Sequence, residues 1–493
     1  MTSSRKLLGT VAALCVAAPT AALAQESVNT PLSKVERKNR APVSAEILQA
    51  KIPKAIEARL KNGAAVLIVE DHRFPAVHVG LHLRAAGALF EPPKTAGLAS
   101  ATAGMLREGT TTRTSEQIAE EIDRLGATLS ASAGIGSPEV TLAASGLAEN
   151  FDAWFALMTD VLLHPSFPAS ELGKLKQRIK VQLRQQRSSS GFLMEERFSR
   201  AVYGSHPAAV ISPTVESVDA LTPESLARWH RERYSPLNSI LTITGDVRAA
   251  ELVSKLEAAL GDWQKNEIKA APPANPAPAT SRIIYLVDRP NSVQTSLVLG
   301  NIAIDRRNED YIPMVVMNYI FGGGPAARLF LNLREEKGYT YGVYSSFTAV
   351  EYPGPWRAGG NMRTEVTNGA VTEFLREIRR IREEKVSDAE LAEAKRSVVA
   401  RFALSLEQPT QALGFALSRK IYRLADDYWD NYPARIMAVS ADDVERVARR
   451  YLNPETIQLV AVGDSRKIKP VLEQYGPVEV YDSAGTRVAA PSP

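Results

Sequence analysis

The sequence predicts an α+β protein made of two related halves, each a mostly antiparallel sheet with helices packed on one face. Three observations lead to this reading. First, strand-like and helix-like periods interleave: Ala64–Glu70 and Val77–Leu83 read as strands, while Ser170–Arg187 and Ser387–Leu406 carry apolar residues at helical spacing. Second, residues 265–281 are rich in proline and alanine and have no apolar period, so they are expected to be an extended, solvated linker between halves of similar size. Third, the halves end alike. Asn238–Val247 is a strand running into Gly245-Asp246, and Glu455–Asp464 repeats the device with Gly463-Asp464. Before each strand lies a helix opened by a capping residue, Thr222 in one half and Ser440 in the other, then an aromatic-proline break at Tyr234-Ser-Pro236 or Tyr451–Pro454.

Composition narrows the class. The chain has 493 residues, 45% hydrophobic and 23% charged, an ordinary globular balance. Arg5 and Lys6, an apolar run over Leu7–Ala18 and the small-residue site Ala22-Leu23-Ala24 form an export signal over residues 1–24. The run is too short for a membrane anchor. A soluble periplasmic chain is therefore expected. The net charge of +4 falls to +2 when those two cations leave, and no basic block suggests nucleic acid. Cys15 is the only cysteine and lies inside the signal, so no disulfide or thiolate site is expected in the mature chain.

Residues 97–110, Gly-Leu-Ala-Ser-Ala-Thr-Ala-Gly-Met-Leu-Arg-Glu-Gly-Thr, resemble the zinc helix of the insulinase/pitrilysin peptidases, G-L-A-H-x-x-E-H-M-L-x-x-G-T. The frame is kept and the chemistry is gone. The ligand histidines fall on Ser100 and Gly104, and the general-base glutamate falls on Ala103. In H-x-x-E-H two imidazoles four residues apart on one helix face reach a single ion, and the glutamate takes a proton from the bound water. Serine is a poor zinc ligand, and alanine and glycine supply none. The resemblance spans roughly residues 45–470, through Leu125–Ala131, Asp160–Phe167, Tyr203–Pro207 and the paired Gly-Asp turns. It implies residues 45–264 as a peptidase-like half, residues 282–470 as a second half and residues 471–493 as a tail. The two halves would form half of a clamshell chamber.

The family's third ligand, a glutamate, comes from the helix that corresponds to residues 170–187. No acid lies between Glu171 and Glu195, and the ligand position falls near Lys180 or Gln182. All six histidines lie in the first half. His78 and His82 alternate as on a strand, which separates them by roughly 13 Å, too far for one ion. His72 reads as a solvated turn residue, His164 and His206 as structural, and His230 as packing at a helix end. No metal is expected in this chain.

Residues 321–347 resemble the family's second-half signature, G-G-x-x-S-R-L-x-x-x-L-R-E-x-x-G-x-x-Y. By position the resemblance assigns Arg334 and Tyr341 as the arginine and tyrosine that reach an active site contributed by another half or subunit. The guanidinium suits peptide carbonyls and the phenol suits a developing oxyanion. Without such a role, Arg334 pairs with Glu335 or Glu336 and Tyr341 is a strand aromatic. Arg328 reads as holding the loop. The glycines at 322–324 have two readings: a turn opening a helix with Pro325 at its first position, or a place where substrate backbone approaches Gly323 and Gly324. The function implied is the zinc-free subunit of a secreted heterodimeric metallopeptidase, similar to processing peptidases. Its partner would be a homologous zinc-bearing subunit and its substrate a peptide or unfolded polypeptide. The alternative is a non-hydrolytic homodimeric or stand-alone peptide-binding scaffold.

Overall fold

Two six-stranded sheets carry the same strand order. The computed structural model describes residues 52–268 and 271–488; the expected signal with Cys15 lies outside the described residues. The first sheet uses β1 (Ile56–Arg59), β2 (Ala65–Glu70), β3 (Ala76–Arg84), β4 (Thr128–Ser132), β5 (Glu139–Leu147) and β6 (Ser239–Gly245), in the order β1-β2-β6-β3-β5-β4. The second uses β7 (Ile284–Asp288), β8 (Gln294–Ile302), β9 (Thr340–Ala349), β10 (Pro353–Arg363), β11 (Gln458–Gly463) and β12 (Val478–Tyr481), in the order β12-β7-β11-β8-β10-β9. Most neighbours are antiparallel. The exceptions are β2 with β6, and β7 with both β11 and β12. The predicted α+β repeat is therefore present, and the last four strands of each sheet order, together with β2 and β7, match one for one. Only the outermost strand differs in origin: β1 comes from the start of its half, whereas β12 comes from residues 471–493, the stretch expected to be a tail.

The helices repeat as well. Among the described residues the first half has α1 (Leu98–Met105), α2 (Ser115–Arg124), α3 (Phe151–Leu163), α4 (Ala169–Gln186), α5 (Ser190–Tyr203), α6 (Val215–Asp219), α7 (Pro223–Arg233) and α8 (Ala249–Leu260). The second half answers with α9 (Tyr311–Gly322), α10 (Arg328–Phe330, continuing as a π-helical turn over Leu331–Glu336), α11 (Thr367–Glu383), α12 (Asp388–Ser405), α13 (Pro409–Tyr422), α14 (Tyr432–Ala438), α15 (Ala441–Tyr451) and α16 (Ser465–Leu472). Thr222 and Ser440 close capping boxes at α7 and α15, as expected from sequence. No described helix is long and apolar enough to cross a membrane.

Each sheet buries one broad face against helices of its own half. Val66, Ile68, Val79 and Leu81 meet Trp154, Phe155, Leu226 and Leu256; Leu286, Leu297 and Leu459 meet Met317, Phe374 and Val447. The opposite face is also covered, which the one-face reading did not include. The helix that covers it comes from the other half. α5 sets Leu193, Phe198 and Val202 on Val287, Val298, Val460 and Val462 of the second sheet. In return α13 sets Ala412, Leu413 and Ala416 on Ala65, Leu67, Val69 and Ile240 of the first. Room for the Phe198 ring comes from Gly300, where a Cβ would lie 2.6 Å from the ring. Arg197 adds a cation–π contact 4.1 Å from the Tyr481 ring, fastening β12 to α5. Residues 265–281 contain no described helix or strand, but their start is tied down: the Asn266 N–H donates to Ser235 Oγ at 3.0 Å.

Two local devices set up the sites discussed below. The turn from α2 into β4 places Gly126 at φ +60°, and the turn before β9 places Gly338 at φ +63°. Nothing lies within 4 Å of a Cβ at either glycine, so the left-handed backbone alone selects the residue. The second device is Glu91. α1 begins at Gly97 without a side-chain cap of its own, and the Glu91 carboxylate accepts from the N–H groups of Ala99 at 2.7 Å and Gly97 at 3.1 Å. Burial raises the Glu91 carboxyl to about 7, against the pull of those two donors.

Three outcomes follow for stability. Phe198→Ala should cost about 3 kcal/mol or more in urea unfolding, because it opens a cavity on the shared face. Gly338→Ala should cost about 1 kcal/mol, and Gly338→Asn less, since asparagine tolerates the left-handed region. Glu91 has a folded-state value above its unfolded one, so its contribution is fully present below pH 4.5 and is lost as pH rises through about 7. The difference between wild type and Glu91→Gln should therefore shift by on the order of 1–3 kcal/mol against wild type between pH 4.5 and pH 8, read from unfolding curves at each pH.

Candidate functional site

The helix that resembles a zinc helix is formed and held by its apolar side. Leu98, Ala99, Ala101, Ala103 and Met105 are buried, while Ser100 is half-buried and Gly104 is exposed. Ser100 and Gly104 share the open face, one turn apart. Nothing lies within 4 Å of a Cβ at Gly104, and Ala103 turns fully inward. The donor set on this face is one serine hydroxyl, which does not fit zinc. On α4, Lys180 pairs with Asp219 of α6, and Gln182 is exposed. Neither candidate position supplies an anionic ligand. Among the described residues no three His, Cys, Asp or Glu side chains are grouped to hold a metal ion.

The histidines have other partners. His78 and His82 lie on β3, as read from sequence, and His82 Nδ1 sits 3.4 Å from Glu139 Oε1. His72 is exposed but is not simply solvated, since its Nδ1 lies 2.6 Å from Asp246 Oδ1 at the first Gly-Asp turn. His164 pairs with Asp160 at 3.2 Å. His206 Nδ1 accepts from the Ala208 N–H, and its ring rests 4.6 Å from that of Tyr352 in the second half. His230 lies 2.8 Å through Nε2 from the Leu162 carbonyl, and burial lowers it to about 4, so near neutral pH it is the uncharged donor.

In the second half the structure brings Arg334 and Tyr341 together. The guanidinium lies 4.9 Å from the Tyr341 ring centre and 4.7 Å from that of Phe330. Arg334 also reaches Glu335 at 3.5 Å. Tyr341 is 89% exposed on β9, the outermost strand of its sheet, and its hydroxyl has no hydrogen-bond partner among the described residues. Arg334 sits on the π-helical turn, a geometry with poorer internal bonding that recurs at functional sites. Side chains fix that turn from beneath. Asn332 donates through Nδ2 to Glu373 and Glu377, each at 2.8 Å, and the buried Arg328 makes a bidentate pair with Glu390 at 2.7 Å. Sequence reading gave Arg328 the holding role but missed Asn332, whose partners lie 41 and 45 residues away with no local pattern to mark them.

The glycine run does not open a helix. Gly322 ends α9, Pro325 lies in the turn, and helix resumes at Arg328. None of the three glycines has a left-handed φ. Close approach requires the first two instead: a Cβ on Gly322 would sit 2.6 Å from Ser345 Oγ, and one on Gly323 2.7 Å from Tyr319 Cα.

Comparison with known proteins identifies the family of both halves. A profile of the insulinase family, peptidase family M16, matches residues 65–211, and a profile of the peptidase M16 inactive domain matches residues 220–398. An uncharacterised zinc protease of Bacillus subtilis is 23% identical over 395 residues, covering 79% of this chain and 94% of the relative. Another from Rickettsia bellii is 25% identical over 407 residues, covering 82% and 96%. A solved peptidase M16 inactive domain from Pseudomonas fluorescens superposes with a TM-score of 0.77 at 25% identity, over 83% of this chain and 98% of that one. A protease from Helicobacter pylori shares the fold, with a TM-score of 0.74 at 17% identity over 83% and 100%. With both halves matched in order and five of the six strand places repeated, the chain belongs to the M16 insulinase family.

Proposed function

We propose that this chain is the zinc-free subunit of an exported heterodimeric peptidase and lends Arg334 and Tyr341 to the active site of a homologous zinc-bearing subunit. The observation that carries the proposal is the contrast within one chain. The helix that would hold metal has no ligand on its open face, while the Arg334–Tyr341 pair is assembled, exposed and anchored by buried polar contacts. Arg334 would donate to carbonyls of an extended peptide. Tyr341 would donate its phenol proton into a hydrogen bond with the oxyanion that forms when water attacks the scissile carbonyl. Gly323 and Gly324 would admit substrate backbone beside Tyr319 and Arg401. Export belongs to the same proposal and rests on the signal read at residues 1–24.

The mature chain alone should hydrolyse no peptide, and a mixture with a homologue that carries intact H-x-x-E-H should. In that mixture, Arg334→Ala with Tyr341→Phe should lower kcat/KM by about 10²–10³, with assembly and the partner's zinc content retained. Unchanged turnover in the double variant, or metal-dependent hydrolysis by this chain alone, would overturn the proposal.

A further inference from the structure

A cleft of about 410 Å³ lies between α9, β9 and α12, lined by Tyr319, Phe347, Phe402, Trp429 and Arg401. α9 lies between β8 and β9 in the chain, as α1 lies between β3 and β4, the strands that hold the same places in the first sheet's order. Val315, Asn318 and Tyr319 face this cleft at positions i, i+3 and i+4, the spacing of Ser100, Ala103 and Gly104 on α1. The repeat therefore has an open site in each half. The first has lost its donors, and the second has aromatic walls.

Its polar groups are unequal. Asn318 is already used: its Oδ1 accepts from Ser345 Oγ at 2.8 Å and from Trp356 Nε1 at 3.0 Å. Arg401 is not. It is exposed at the rim, its guanidinium lies 5.1 Å from the Tyr319 ring centre, and it makes no ion pair with a carboxylate among the described residues. The Gly323–Gly324 turn borders the same rim: a Cβ on Gly324 would lie 3.4 Å from Arg401 Nη2 and 3.7 Å from Tyr319 Oη. An apolar aromatic cavity, one unneutralised guanidinium beside it and backbone without side chains at the mouth complement one kind of ligand.

We infer that this cleft binds a peptide segment in which a bulky apolar side chain neighbours a carboxylate, the side chain entering among Phe347, Phe402 and Trp429 and the carboxylate pairing with Arg401. The carboxylate comes from the end of the peptide chain or from an aspartate or glutamate next to the apolar residue. The inference extends the peptide-binding reading above to a second place on the same subunit, distinct from the Arg334–Tyr341 pair.

The test uses the mature chain alone and isothermal titration with three probes: acetyl-Gly-Gly-Phe with a free C-terminal carboxylate, the same peptide amidated, and acetyl-Gly-Phe-Asp-amide. At least one carboxylate probe should bind about tenfold more tightly than acetyl-Gly-Gly-Phe-amide, and Arg401→Gln should remove that advantage. Preference for the free acid marks a chain terminus; preference for the aspartyl probe marks a side chain. Ser405→Trp, on the cleft wall and outside the core, should abolish binding of all three with an unchanged melting temperature. Absence of saturable binding by every probe, or equal affinity in wild type and Arg401→Gln, overturns the inference. Since no partner is present, binding here with no hydrolysis in the mixed pair would sink the heterodimer proposal alone, and hydrolysis without binding here would sink only the cleft.

Discussion

The reciprocal crossing of α5 and α13 is the constraint on which the rest of the structure depends. Each sheet needs a helix from the other half to close its second face, so neither half completes its core alone. Burying a Phe, Leu or Val side chain contributes roughly 1.5–3 kcal/mol. The three apolar residues of α5 and the leucine of α13 thus outweigh the partly exposed ion pairs between the halves, such as Lys420 with Glu57 and Arg357 with Glu195. The exchange also sets the composition of the central strands. β6 and β11 are buried along their whole length, because there is helix on both sides.

That two-sided burial marks where sequence reading succeeded and where it fell short. The repeat was legible because its marks are local: Thr222 and Ser440 as caps, Gly-Asp after a strand, a proline-rich stretch between. Helices α4 and α12 matched expectation to within a residue or two at each end. Which sheet a helix covers is set by contacts between residues far apart in the chain, and no local period encodes it. Ser190–Tyr203 carries Phe198 and Val202 at i and i+4, as any amphipathic helix would, yet its partners are Val287 and Val460. The two Gly-Asp turns looked equivalent in sequence and differ in space. Gly245 has φ +135° with its Asp246 on His72, while Asp464 is buried and caps α16. Residues 471–493 failed for a related reason: Val478–Tyr481 is only four residues long, and Arg197 of α5 helps to fix it.

At the candidate site, Ser100, Ala103 and Gly104 were placed correctly on a helix because the surrounding frame, Gly97-Leu98-Ala99 and Met105-Leu106, is also what packs that helix. Glu91 gave no such signal. Its role is to complete the amides at the start of α1, a contact that spans six to eight residues through a loop. The capping group and the apolar face are independent of whatever the open face presents. Ligands on that face could therefore disappear without loss of the helix.

The opposite holds beneath Arg334. Glu377 is almost fully buried; its Oε2 has no hydrogen bond and only an Arg380 guanidinium 3.5 Å away, and the Asn332 side-chain amide oxygen and one Arg328 nitrogen have no hydrogen-bond partner among the described residues. Incompletely satisfied buried polar groups cost stability, and a helix packed by leucines at this point would hold the fold at least as well. Here the cost is concentrated under a π-helical turn whose exposed product is a guanidinium stacked on a solvent-facing phenol. Packing alone gives no reason for that arrangement, whereas fixing Arg334 at one position relative to Tyr341 does. The two halves have thus diverged by different physics. In the first half, the open face of α1 carries side chains the fold does not use; in the second, Arg334 stands on buried polar contacts that cost stability.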